Sequence, residues 1–189
     1  MASSAYIEAG TSLGTMKNGD SFFHQPNATS SGFGFVGSLS FYYPVLSVGD
    51  VIDFDLGIQN RLTLTSNDSH SFAMDNPHLS ARFEFWRLYV GGGYAPYTFV
   101  SKPDQGVMSL HTNPDQKAYF VEGGLIWRVI PEFQVAASYS MEFGLPSGGG
   151  ISPTAMEYGL RFRFPLNPTE LGRGGKVDYD GRYPFGFMK

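Results

Sequence analysis

Read two residues at a time, the chain divides into eight segments in which apolar and polar positions alternate. Ile7, Ala9, Thr11 and Leu13 alternate with Tyr6, Glu8, Gly10 and Ser12. Phe33, Phe35, Leu39, Phe41 and Tyr43 follow, against Gly34, Val36, Ser38 and Ser40. In the third segment Ile52, Phe54, Leu56, Ile58, Leu62 and Leu64 face away from Asp53, Asp55, Gly57, Gln59, Arg61 and Thr63. Leu79, Ala81, Phe83 and Phe85 oppose His78, Ser80, Arg82 and Glu84; Leu88, Val90 and Tyr94 oppose Tyr89, Gly91, Gly93 and Ala95, with the pattern running to about Phe99. The last three centre on Tyr119–Val129, Phe133–Phe143 and Glu157–Phe164. Because a side-chain period of two belongs to extended chain, and no stripe of period 3.6 competes with it, strands are predicted throughout and a substantial helix is not.

The connections alternate too. Lys17–Ser31, Asn67–Asn76, Ser101–Gln116 and Gly144–Pro153 are long and rich in Gly, Pro, Asn, Asp and Ser, whereas Pro44–Asp50, Trp86–Leu88 and Ile130–Glu132 are shorter. An up-and-down barrel whose two rims face different compartments has this rhythm. An even number of strands puts both ends of the barrel on the short-turn side.

Composition narrows the picture. With 189 residues one domain is expected, and 24 Gly, 16% aromatic and 16% charged residues suit strands and turns. Mean hydropathy is −0.15, and no apolar run reaches the length of a transmembrane helix. A membrane barrel stays open, since its strands hide their hydrophobicity in alternation. There is no Cys, hence no disulfide, thiol chemistry or Cys-bound zinc; the net charge of −4 argues against a nucleic-acid partner. The first residues, Met-Ala-Ser-Ser-Ala, carry no charged and apolar leader, which for an exported protein corresponds to a mature form behind a start Met.

Glu157–Phe164 says most. Tyr158, Leu160, Phe162 and Phe164 lie on one side of an extended chain, and Glu157, Gly159, Arg161 and Arg163 on the other. One face suits hydrocarbon, the other a narrow charged interior. The octet resembles the C-terminal signal by which bacterial outer-membrane barrels are recognised for insertion, with Glu157, Gly159, Phe162 and Phe164 at its specified positions. With the eight segments and alternating connections, the chain resembles the small outer-membrane proteins of the OmpA and OmpX type. That resemblance implies an all-β, eight-stranded antiparallel up-and-down transmembrane β-barrel over residues 1–164, with a short periplasmic tail over 165–189. It also implies outer-membrane lipid and lipopolysaccharide as surroundings and the barrel assembly machinery as a partner during insertion.

A soluble barrel of the lipocalin kind is the alternative; it would point the apolar face inward. Against it stand a polar face of paired acids and arginines with few lysines, and the absence of a Gly-x-Trp signature near the start. Large aromatics also recur near segment ends: Tyr43, Trp127, Phe133, Phe162 and Phe164 at one rim, Phe33, Tyr119 and Phe143 at the other. Interfacial girdles have that distribution.

With the apolar face outward, Glu8, Asp53, Asp55, Glu84, Glu122, Glu142 and Glu157 gather inside with Arg61, Arg82, Arg128, Arg161 and Arg163. An eight-stranded interior is only wide enough for side chains to fill, so these charges are expected to pair. The main reading is a charged plug that holds the barrel rigid; a gated ion path, in which one pair swaps partners, is the functional rival.

Signals of chemistry are few. His24, His70, His78 and His111 lie in or beside predicted outer loops without metal-ligand spacing, so no metal and no cofactor is expected. His78 and Ser80 share a face, and a His–Ser pair resembles the arrangement of barrel lipid A deacylases. Those enzymes carry it towards the membrane, whereas here it shares the predicted interior face with Arg82 and Glu84. Gly91-Gly92-Gly93 precedes no helix and so is no phosphate loop. The loops hold apolar residues (Phe22, Phe23, Phe72, Met74, Val107, Met108 and Leu110) able to pack on one another, on lipopolysaccharide or on another protein. After Phe164, a Gly/Pro-rich exit leads to Val177, Tyr179, Tyr183, Phe185 and Phe187 alternating with Asp178, Asp180, Arg182 and Pro184. An unstructured tail and a docking peptide, with residues 176–188 engaging a periplasmic partner, both fit. The expected role is therefore structural or interactive, through loops and tail, without catalysis. A lipid A-modifying enzyme and a small-molecule or ion conduit are the alternatives.

Overall fold

The computed structural model describes residues 5–17, 32–48, 51–66, 71–102, 107–112, 118–130, 133–145 and 154–166. Ten strands run through them: β1 Tyr6–Lys17, β2 Gly32–Val48, β3 Ile52–Ser66, β4 Ser71–Phe85, β5 Leu88–Ala95, β6 Tyr97–Lys102, β7 Val107–Thr112, β8 Ala118–Ile130, β9 Phe133–Phe143 and β10 Thr154–Pro165. Eight of them, all but β6 and β7, form one closed antiparallel barrel: neighbours along the chain pair in turn, and β1 closes on β10. The β6–β7 hairpin prolongs the wall beyond β5 and pairs with the first part of β4.

The register gives the pitch. Tyr6 pairs with Tyr42, Tyr42 with Gly57, Gly57 with Ser80, Ser80 with Gly93 and Gly93 with Phe120; from there Glu142 and Ala155 lead back to β1 at Met16. One circuit thus climbs ten residues, from Tyr6 to Met16. Strands so staggered tilt by roughly 40° to the barrel axis, in the range of closed barrels.

Side-chain direction follows the alternation. Leu39, Ile58, Leu62, Leu79, Val90, Leu125 and Tyr158 stand exposed on the outside, while Glu8, Arg61, Arg82, Glu122, Glu142 and Arg161 are buried. This is a soluble protein turned inside out, and the apolar belt is a surface for hydrocarbon. Aromatics mark both margins. Phe133 packs on Phe162 and Phe164, with centroids 6.0 and 5.3 Å away; at the other rim Tyr119 lies 5.4 Å from Tyr94 and 5.8 Å from Phe143. Between β4 and β5 the chain reverses through Trp86 and Arg87, with Trp86 at φ 57° and its N–H donating to Val51 O at 2.7 Å.

Three sequence expectations need correction. Ser71–Asn76, read as part of a loop, belongs to β4 and pairs with β3 as far as Ser66↔Ser71. Its Ser, Asp and Asn look like turn residues, but a waiting partner strand satisfies their backbone. The stretch read as a loop from Ser101 likewise contains β7 and the end of β6. Met74, taken for an exposed loop residue, is wholly buried. It joins Met16, Ala95, Val100, Ala118, Leu145 and Ala155 in an apolar cluster across the end of the barrel with the long connections.

Candidate functional site

The closed wall brings the inward side chains of all eight barrel strands within reach of one another, and charges dominate the middle. Arg82 on β4 is the hub. Its Nη1 and Nη2 donate to Glu8 Oε2 and Oε1 at 2.7 and 2.9 Å, and Nη2 also reaches Glu122 Oε1 at 2.6 Å. The guanidinium lies between two rings, 4.3 Å from the Tyr42 centroid and 4.5 Å from that of Tyr89. A planar fork with delocalised charge suits both the paired acceptors and the aromatic faces; an ammonium does not.

Neighbours extend the lattice in both directions. Arg161 donates to Glu122 Oε2 at 2.6 Å and to Ser38 Oγ at 2.9 Å. Arg163 grips Glu84 through Nη1 and Nη2, at 3.0 and 2.6 Å, lies 3.4 Å from Glu8, and covers the Tyr6 ring at 4.1 Å. Tyr6 donates its hydroxyl to Asp55 Oδ2 at 2.8 Å. Nearer the outer end, Arg61 donates to Glu157 and, at 3.1 Å, to Ser140 Oγ; Ser140 in turn donates to Glu157 Oε2 at 3.1 Å. Glu142 accepts from Asn76 Nδ2 at 2.7 Å and lies 3.3 Å from His78 Nε2 and 3.7 Å from Arg61 Nε.

Among the described residues six buried carboxyl groups (Glu8, Asp55, Glu84, Glu122, Glu142 and Glu157) thus meet four buried arginines (Arg61, Arg82, Arg161 and Arg163). Asp55 lies under the Tyr6 hydroxyl, and Glu142 sits between Asn76 and His78 with Arg61 on its other oxygen. Asp53 is half-buried, and the Arg128 side chain lies outside the described residues. Sequence reasoning missed Tyr6, Tyr42, Tyr89 and Asn76. The first three do occupy inward positions of the alternation, and a tyrosine there is a legible signal: an aromatic face for a cation with a polar tip. Asn76 was hidden by its loop-like neighbours.

The His78–Ser80 pair is not arranged as base and nucleophile. Both side chains are buried in the interior, and His78 Nδ1 donates to Asn76 O at 2.8 Å while Nε2 faces Glu142. His78 is thus in the barrel wall, not in a loop; His24 and His70 lie outside the described residues, as does the His111 side chain on β7. Among the described residues no group of three or more His, Cys, Asp or Glu could hold a metal ion.

Neither the protein-family models nor the curated proteins contain a match to this sequence. Solved structures do resemble it. Neisserial surface protein A aligns over 86% of this chain and 97% of its own, with a TM-score of 0.61 at 16% identity. Ail of Yersinia pestis covers 87% of this chain and 100% of its own (TM-score 0.46, 13% identity), and the N-terminal barrel domain of Pseudomonas aeruginosa OprF covers 83% and 97% (TM-score 0.40, 12% identity). The shared fold with the Neisserial protein, the closed register and the apolar exterior agree: this chain has the fold of the small eight-stranded bacterial outer-membrane β-barrels.

Proposed function

We propose that this protein is an integral barrel of the bacterial outer membrane, acting as a rigid structural and interaction element that presents its long connections at the outer face. The interior lattice carries this reading. Among the described residues four arginines and six carboxyl groups occupy the lumen, held by short contacts across it, with an apolar cluster above them. The charges and rings packed across the lumen count against the conduit; the engagement of His78 with Asn76 and Glu142 counts against the deacylase-like enzyme. Lipid and lipopolysaccharide are the partners that the exterior belt fits. Glu157, Gly159, Phe162 and Phe164, all on the closing strand β10, keep the alternation that recognition by the assembly machinery would need. The proposed periplasmic partner concerns residues 176–188, which lie outside the described residues.

The test is refolding into detergent and liposomes. Unboiled protein should migrate differently from boiled protein on a gel, liposomes should not swell in small sugars, and lipid A from cells with and without the protein should have the same mass. Solubility without detergent would overturn the membrane reading. Swelling would establish the conduit, and a changed lipid A mass the enzyme.

A further inference from the structure

Register and side-chain size cut a groove into the outer face of the wall. Ile7, Phe41, Ile58 and Leu79 are successive partners across β1 to β4 and point outwards. Two residues further up, Leu39, Asn60 and Pro77 form the next outward row. The row between them, Ser40, Gln59 and His78, turns its side chains inward, so only its backbone floors the space. Asn60 and Pro77 are too short to close over that floor. The result is a groove of about 510 Å³ that ends at Pro96 and Tyr97.

Its course is set by the barrel. Strands lie about 4.8 Å apart, so a row crossing from β1 to β6 is roughly 15–20 Å long. Because the register gains ten residues per circuit, that row climbs at roughly 40° from the membrane plane. The Ile7 end lies low, one residue into β1 on the short-turn side; the Tyr97 end lies in the outer half.

At the upper end the wall itself is interrupted. The ladder of β4 with its neighbour stops at Leu79↔Tyr94 and resumes at Asp75↔Phe99, with the register stepped by one residue. Pro77 and Pro96 sit in this gap, one on each side, and neither has an N–H to give. The floor of the groove therefore ends where the ladder on this side of β4 is interrupted, beside His78.

We propose that this groove holds one acyl chain of a periplasmic-leaflet phospholipid, its head group at the Ile7 end and its chain climbing towards Pro77 and Pro96. The inference rests on the membrane-barrel reading. The groove is continuous with the apolar belt, so hydrocarbon is what reaches it. Its walls lose dispersion contacts when empty, and a slender, flexible chain restores them. Ile7 stands at the short-turn margin, where head groups of the periplasmic leaflet lie, and this assigns the chain to that leaflet rather than to lipopolysaccharide.

Native mass spectrometry of protein refolded in detergent with palmitoyl-oleoyl phosphatidylethanolamine and lipid A together tests this. Wild type should retain one phospholipid. Asn60→Trp, which lays a ring in the groove, should reduce that retained species by about tenfold, a loss of about 1.4 kcal/mol in affinity. Leu125→Trp, in the belt on β8, should leave it unchanged. The proposal fails if wild type retains no discrete phospholipid, if both variants lose it equally, or if Asn60→Trp keeps it. Retention of lipid A in preference to phospholipid, abolished by Asn60→Trp, would overturn the leaflet assignment. Boiled and unboiled gel migration of each protein separates these results from failure of the barrel reading, which alone would remove the shift.

Discussion

At the scale of single residues, Arg82 shows how a charge survives at the centre of a membrane protein. It meets two carboxylates and two tyrosine rings, and room for those rings comes from glycine. A Cβ on Gly57 would stand 2.6 Å from the Tyr42 ring, and one on Gly124 2.6 Å from that of Tyr89. These two glycines are there for close approach, not for a turn. Arg82→Ala would leave Glu8 and Glu122 facing each other with fewer partners. We expect it to cost about 3–5 kcal/mol, read as a lower urea midpoint for refolded protein in liposomes. Arg82→Ala combined with Glu8→Gln and Glu122→Gln should recover part of that loss, because the stranded charges go with it. An unchanged midpoint in the single variant would mean that water replaces the guanidinium without penalty.

At the scale of elements, the two faces of each strand answer to different solvents. β3 places Leu56, Ile58, Leu62 and Leu64 outside and Asp55, Gln59, Arg61 and Thr63 inside, in strict alternation. A one-residue slip would expose every charge to lipid, so the register is steeply determined. Leu62→Arg should therefore destabilise the folded barrel in liposomes by about 2–4 kcal/mol, as a cation near the bilayer midplane does. A cost near zero in the same urea titration would place Leu62 outside the hydrocarbon. The strands are also longer than their apolar belts. β4 begins at Ser71, and β6 and β7 carry the wall onward as a hairpin. Polar composition hid these extensions, since beyond the bilayer neither face of a strand has to be apolar.

At the scale of the whole molecule, closure does two things: it leaves the eight barrel strands without a free edge, and it forces their inward side chains into one narrow lumen. Two layers stand across that lumen, the charged lattice and the apolar cluster of Met16, Met74, Val100, Leu145 and three alanines. If both block, opening one changes nothing. Met74→Ser should leave liposomes as impermeable to small sugars as wild type does. Swelling with that variant alone would show that the lattice passes water and that the apolar layer is the sole barrier.

The sequence by itself determined the eight strands of the closed barrel and the face that most of their charged and large apolar residues take, because a period of two is a local property and the bilayer reads it strand by strand. Glu8, Arg61, Arg82, Glu122, Glu142, Glu157, Arg161 and Arg163 were all legible as inward in this way, and so was the outward set of β10. Who pairs with whom was not. Arg82 meets Glu8 and Glu122 from positions 74 and 40 residues away, and only the ten-residue stagger of the closed barrel sets them at one height. The same stagger aligns Pro77 with Pro96 at a break in the wall and lays the groove across four strands. Alternation is written along the chain; stagger is a property of the closed ring, and it exists only once β1 has met β10.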